Sequence, residues 1–167
     1  NSRFSIFNLR SMTAQQIKFV KDSLQAAVSA GAAFNMNPLV ILAQAALESG
    51  WGMSDLARES RNFFGLTAYG CSNAYWHGGK TVLKTSAYSL DFRRYDTREN
   101  SFLDFARLIR DCYRRAWQVS NDPEAYAKEI AYSPYISEQN GDNRETYRHS
   151  IIQIARTIQA VIALIEK

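Results

Sequence analysis

The stretch Asn37-Pro38-Leu39-Val40-Ile41-Leu42-Ala43-Gln44-Ala45-Ala46-Leu47-Glu48-Ser49-Gly50-Trp51-Gly52 decides how this chain folds. Asn37 can cap a helix, and Pro38 suits its first position, where no N–H is needed. Residues Leu39 to Leu47 are apolar almost all round, which predicts a buried helix, and Gly50 supplies the residue that ends it. Such a helix needs other helices to cover it.

Those helices can be read on both flanks. Thr13-Ala-Gln-Gln16 has the form of a capping box, and Ile17, Val20, Leu24 and Val28 follow at helical spacing up to about Phe34. On the other side, Thr97 can cap a long helix carrying Phe102, Phe105, Leu108, Ile109 and Cys112, and Asp122-Pro123 opens a shorter one. Ser133-Pro-Tyr135 through Asp142-Asn143 reads as an ordered loop. Asn143 is the expected cap of a last helix with Ile151, Ile154, Ile158, Val161 and Ile165 on one side.

Between these helices the texture changes. From Asn62 to about Tyr95 come aromatics, glycines and short β-branched runs, including Lys80 to Thr85 and Tyr88 to Tyr95, which predict a small antiparallel lobe. The expected class is α+β, predominantly α: a helical body with a β-hairpin lobe at about 66–95. A length of 167 residues suits one domain over 1–167, with 1–12 as an N-terminal extension. A cleft is expected where lobe and body meet.

Charge narrows the partners. The formal net charge is +4, and the adjacent basic pairs are only Arg93-Arg94 and Arg114-Arg115, which argues against a nucleic-acid patch and permits an acidic polymer. No apolar run reaches the roughly 20 residues that span a bilayer. Two cysteines and two histidines far apart make neither a metal cage nor a cofactor site, so no metal and no cofactor are expected. Cys71 and Cys112 fit either a disulfide in an exported chain or two buried thiols otherwise. Asn1 to Arg10 do not read as a signal peptide, and a chain starting at Asn1 leaves room for one removed upstream.

Glu48 is the chemically informative residue. Between Asp22 and Asp55 no other side chain is acidic. A carboxyl in apolar surroundings is costly to ionise, so its pKa should rise, and an acid still protonated near neutrality can protonate a leaving oxygen. Trp51, three residues on, is a candidate for the ring that dries it and for a sugar-stacking platform, by analogy with the glutamate beside a tryptophan in lysozyme. A glutamate at a helix end with no chemistry is the alternative.

The wording of the segment adds to this pattern. Ala43-Gln-Ala-Ala-Leu-Glu48-Ser-Gly-Trp51-Gly, followed by Asn62-Phe63-Phe64-Gly65-Leu, resembles the core of glycoside hydrolase family 73, the β-N-acetylglucosaminidases of bacterial autolysins and flagellar rod-assembly proteins. Asp91-Phe-Arg-Arg-Tyr95-Asp and Glu99-Asn-Ser-Phe102-Leu-Asp-Phe105-Ala resemble its later elements. The resemblance implies a lysozyme-like fold and an exported monomer acting on peptidoglycan glycan strands. It also implies Glu48 as general acid at the β-1,4 bond after N-acetylglucosamine, with Asn62, Phe63 and Phe64 lining the groove. Tyr69, Tyr88 and Trp76 are read as stacking on sugar or packing in the lobe.

One departure stands out. Family members carry a second carboxylate on the hairpin in a stretch resembling Thr-Thr-Glu-Tyr, whereas this chain has Thr85-Ser-Ala87-Tyr88 and no glutamate between Glu59 and Glu99. Three readings follow: Asp91 takes the base role, the substrate's N-acetyl group acts as internal nucleophile, or the protein binds glycans without cutting them. The second is favoured, because the Glu48 neighbourhood is otherwise intact. Tyr135 matches a late family segment only at its tyrosine, and is a candidate for steadying the N-acetyl group or transition state. A lytic transglycosylase is the rival enzyme, and its usual Gly-Leu-Met-Gln segment is not matched by Asn62 to Gly65.

Overall fold

The computed structural model describes residues 12–138 and 140–167, so the expected extension at 1–12 lies outside the described residues except for Met12. Helix α1 spans Ala14–Phe34. Thr13 accepts from the Gln16 amide while the Gln16 side chain accepts from the Thr13 amide, completing the capping box. Helix α2 spans Pro38–Ser49, with the Asn37 side chain capping Leu39 N–H and Gly50 closing the end at φ 56°. Val40 to Ala46 are all buried, as an apolar helix requires.

The remaining elements are α3 (Asp55–Ser60), β1 (Lys80–Lys84), β2 (Ser89–Arg93), α4 (Arg98–Cys112), α5 (Arg114–Gln118), α6 (Pro123–Ala131) and α7 (Gly141–Ile165). Helix α1 packs on α4 and α2, while α7 covers α2 and α6. Phe102, Phe105, Ile109, Tyr126, Ile151 and Ile158 fill the space around α2 with no exposed surface. Burial of each contributes roughly 1.5–3 kcal/mol. The result is the lysozyme-like arrangement, mostly helical with one small sheet.

The hairpin is antiparallel, with Lys80 opposite Arg93 and Lys84 opposite Ser89. Val82, Leu83 and Leu90 are exposed, so the ribbon has no core of its own and depends on anchors at its base. Those anchors are a bridge from Phe92 to Thr67, a 2.6 Å contact between the Ser60 and Thr81 hydroxyls, and the Arg93 side chain.

Several expectations need correction. In α1 the buried face is Phe19, Val20, Ser23, Ala26, Ala27, Ala30 and Phe34, whereas Val28 is 43% exposed. Small alanines mark the packed face because α2 and α4 approach closely, and they weigh little in a pattern read from large side chains. The cap of α7 is Asn140, whose side chain accepts from Asp142 N–H, rather than Asn143. Cys71 and Cys112 are both free and exposed, which matches neither a disulfide nor buried thiols. The short helices α3 and α5 carry too few residues for a periodic signal.

The close approach of α1 to the start of α2 depends on Gly31. A Cβ there would sit 2.5 Å from Met36 O and 3.0 Å from Pro38 Cγ. Gly31→Ala is therefore expected to destabilise by about 1–3 kcal/mol through overpacking, despite alanine's better helix propensity. Urea unfolding checks this, and a stabilised variant would contradict it.

Candidate active site

Glu48 is the penultimate residue of α2, and the chain beyond it turns away abruptly. Gly50, Trp51 and Gly52 all have positive φ, at 56°, 58° and 79°. A left-handed tryptophan is strained and persists only where its surroundings hold it. Here Phe19 meets the Trp51 ring edge-on at 5.8 Å, and Gln15 Nε2 donates to Trp51 O at 2.8 Å. Ser49 Oγ fixes the same turn by donating to Ala45 O and accepting from Gly52 N–H. With the turn directed elsewhere, Glu48 stays exposed as a residue at the end of α2.

Glu48 opens into a cleft of about 640 Å³ between the helical body and the lobe, walled by Phe64 to Thr67, Tyr69, Arg93, Tyr113, Tyr135 and Tyr147. That size suits a pocket for a small organic group or sugar. Tyr147 Oη donates to Glu48 Oε1 at 2.7 Å, Gln44 Nε2 donates to Tyr147 Oη at 3.1 Å, and Tyr126 Oη donates to Gln44 Oε1. Three side chains thus hold one carboxyl through a line of hydrogen bonds.

Glu48 is exposed as a residue, yet the protein around its carboxyl dominates its titration. Burial pushes the pKa up, the Tyr147 hydrogen bond pulls it down, and burial wins. Tyr135 is held well above the usual phenol range by burial and then by the Glu48 charge, so it remains a hydrogen-bond donor. Its ring meets Tyr113 at 5.4 Å and Tyr147 at 6.4 Å. The site combines a proton-holding carboxyl, a phenol donor and aromatic walls, which equips it to protonate an oxygen on a bound sugar.

The other sequence candidates divide. Phe64, stacked on Phe105 at 3.9 Å, and Tyr69, 85% exposed, stand on the cleft wall. Asn62 and Phe63 do not. The Asn62 side chain is buried and bonds Leu66 O, Leu66 N–H and Arg93 O, so it pins the cleft-wall loop to β2 from behind. Phe63 packs inward on Phe19 and Phe102.

Trp51 lies in a separate depression with Phe19 and Arg98, so the rings beside Glu48 are Tyr135 and Tyr147 instead. Tyr88 sits at the hairpin turn, bonded to Thr85, away from the cleft wall. Trp76 is buried under the Arg93 guanidinium in the lobe.

Ala87 is exposed in the hairpin turn, and Asp91 pairs across the ribbon with Lys80 at 3.7 Å, outside the cleft. Sequence reading missed Gln44, Tyr113 and Tyr147. A signal existed for Gln44, a lone amide in an apolar run four residues before Glu48 and so on its face. Tyr147 had none, being 99 residues distant. Among the described residues no group of three or more His, Cys, Asp or Glu side chains is placed to hold a metal ion.

The wall opposite Glu48 is braced by a buried ion cluster. Asp104 has no exposed surface and accepts from Arg93 at 2.5 Å, Tyr95 at 2.6 Å, Arg107 at 2.8 Å and Asn73 at 3.0 Å. Arg93 in turn donates to Thr67 O and Tyr69 O, fixing the loop that forms the wall.

A family model described as mannosyl-glycoprotein endo-beta-N-acetylglucosaminidase matches residues 24–160. Peptidoglycan hydrolase FlgJ of Pseudomonas aeruginosa is 29% identical over 170 residues, covering 93% of this chain and 40% of that protein. The glycoside hydrolase domain of FlgJ from Salmonella typhimurium superposes with a TM-score of 0.72 at 25% identity, covering 91% of this chain and 93% of that one. The catalytic domain of the autolysin Auto from Listeria monocytogenes shares the fold, with a TM-score of 0.64 at 22% identity over 90% of this chain and 89% of its own. The chain spans less than half the length of the curated FlgJ relatives it matches.

Proposed function

The chain belongs to the glucosaminidase family, glycoside hydrolase family 73, and from that premise we propose that it hydrolyses β-1,4 bonds after N-acetylglucosamine in peptidoglycan glycan strands, with Glu48 as general acid. The observation that carries this is the Glu48 carboxyl, raised in pKa by burial and held by Tyr147 on the floor of a sugar-sized cleft. A protonated carboxyl can give its proton to the leaving glycosidic oxygen as the bond to the anomeric carbon breaks. Tyr135 is the donor that steadies the substrate beside it, and the exposed Tyr69 offers an aromatic face to the sugar rings, while Phe64, buried and stacked on Phe105, backs the wall. Asn62 and Phe63 support that wall, and neither Trp51 nor Tyr88 has a part in it.

On this reading the protein works as a monomer at the cell wall, outside the cytoplasm, without a cofactor. Its net charge of +4 permits an acidic polymer. Among the described residues no helix is long and apolar enough to cross a membrane.

Digestion of purified sacculi tests the proposal. Mass spectrometry of the new chain ends should find reducing N-acetylglucosamine. Anhydro-N-acetylmuramic ends would identify a transglycosylase, and binding without release would identify a glycan-binding module.

Tyr147→Phe tests the origin of the Glu48 pKa. The Tyr147 hydrogen bond stabilises the ionised carboxylate and so lowers the pKa, and its loss raises it further. Since the acid must be protonated to work, the alkaline limb of the rate profile is expected to move to higher pH. A shift to lower pH would show that Tyr147 acts otherwise.

A further inference from the structure

Resting on Glu48 as the acid, we propose that Glu138 is the catalytic base, supplying from the loop before α7 the carboxylate that the hairpin lacks at Ala87. Among the described residues the cleft wall carries two carboxyl side chains, Glu48 and Glu138. Asp91, the acid sought in the lobe, is turned to Lys80 outside the cleft. Glu138 is exposed and enters the cleft on the same loop that brings Tyr135.

The orientation of Glu138 is built in. Asn143 Nδ2 donates to its Oε2, and among the described residues nothing donates to Oε1, which is left for a water. Asn143 and Tyr147 lie four residues apart on α7, hence on one face and separated by about 6 Å along the axis. One helix face therefore holds both carboxyls, Asn143 the Glu138 side chain and Tyr147 the Glu48 side chain. Among the described residues the remaining charged side chain of the wall is Arg93, which donates to Asp104 and two backbone carbonyls.

The step balances without a further reactant. Water loses a proton to Glu138 as its oxygen bonds to the anomeric carbon. The bond from that carbon to the leaving oxygen breaks, and Glu48 gives that oxygen its proton. Exchange with solvent returns the proton from Glu138 and restores the one on Glu48.

The test uses the 167-residue chain on purified glycan strands with E138Q, E138A and E48Q, each checked for an unchanged thermal unfolding midpoint. In E138Q and E138A, kcat should fall by about 10²–10⁴ with KM little changed. Azide attacks the anomeric carbon without needing a base, so it should restore turnover to E138A and leave glycosyl azide at the new chain ends, detectable by mass spectrometry. Near-native kcat in E138A would overturn the proposal in favour of the substrate's own acetamido group, and a loss that azide does not relieve would overturn it as well. Failure of the Glu48 assignment is seen separately, as an inactive native chain or an E48Q variant that cuts as well as native.

Discussion

Glu48→Gln is expected to lower kcat on peptidoglycan by about 10²–10⁴, the usual contribution of a positioned general acid, while binding to sacculi persists. Glutamine keeps the shape and can still accept from Tyr147, so the cleft should be intact and the loss should appear in kcat rather than KM. The effect is expected to be large because the groups beside the Glu48 carboxyl among the described residues are phenols. Tyr135 and Tyr147 are held above their ordinary range by burial and part with a proton less readily than a carboxylic acid. A Glu48→Gln chain that still cut at the native rate would remove Glu48 from the chemistry.

The second large effect is on stability. Asp104→Ala would strip the counter-charge from Arg93, whose side chain is 11% exposed, and from Arg107 and Tyr95. Breaking a buried ion pair from one side costs about 3–5 kcal/mol, because the remaining charge cannot reach water. For a chain of this length that corresponds to a fall in Tm of about 10 °C. Activity should fall with it through a higher KM, since Arg93 also fixes the Thr67 and Tyr69 carbonyls of the cleft wall.

The same carboxylate predicts a pH dependence. Burial pushes the Asp104 pKa up, but hydrogen bonds from Tyr95, Arg107 and Arg93 outweigh it and hold the group below the usual carboxylate range. A depressed pKa contributes stability that is present above the unfolded value of about 3.9 and is lost as pH falls through the folded value. Urea unfolding should show the native chain losing this contribution below about pH 4, and Asp104→Ala should lack that part of the slope.

The fold was legible where its causes are local. The Thr13 to Gln16 capping box, Pro38 at the start of α2 and Gly50 at its end each act within one helical turn, so a few letters suffice to read them. The error at α7 has the same origin: Asn140 and Asn143 are equally good caps in isolation, but Asn140 bonds Asp142 N–H while Asn143 turns to Glu138. Val28 failed for the opposite reason. Which side of α1 is buried depends on α2 and α4, and no letter in α1 records them.

Glu48 was identifiable from its isolation among apolar residues, and its wording with Trp51 and Asn62 to Gly65 identified the family. What each of those neighbours does was not. Trp51 turns to Phe19, while Asn62 and Phe63 face inward and shape the wall from behind. The sequence by itself determined the helix ends, the burial of α2 and the acid that α2 carries, because these follow from hydrogen bonding and hydrophobicity over short spans. Only the tertiary structure decided what surrounds that acid. Tyr147 reaches it from 99 residues away and Glu138 enters its cleft from the loop before α7. A carboxyl's pKa and its partners are set by the segments that meet across the cleft, and that meeting is a property of the packed chain.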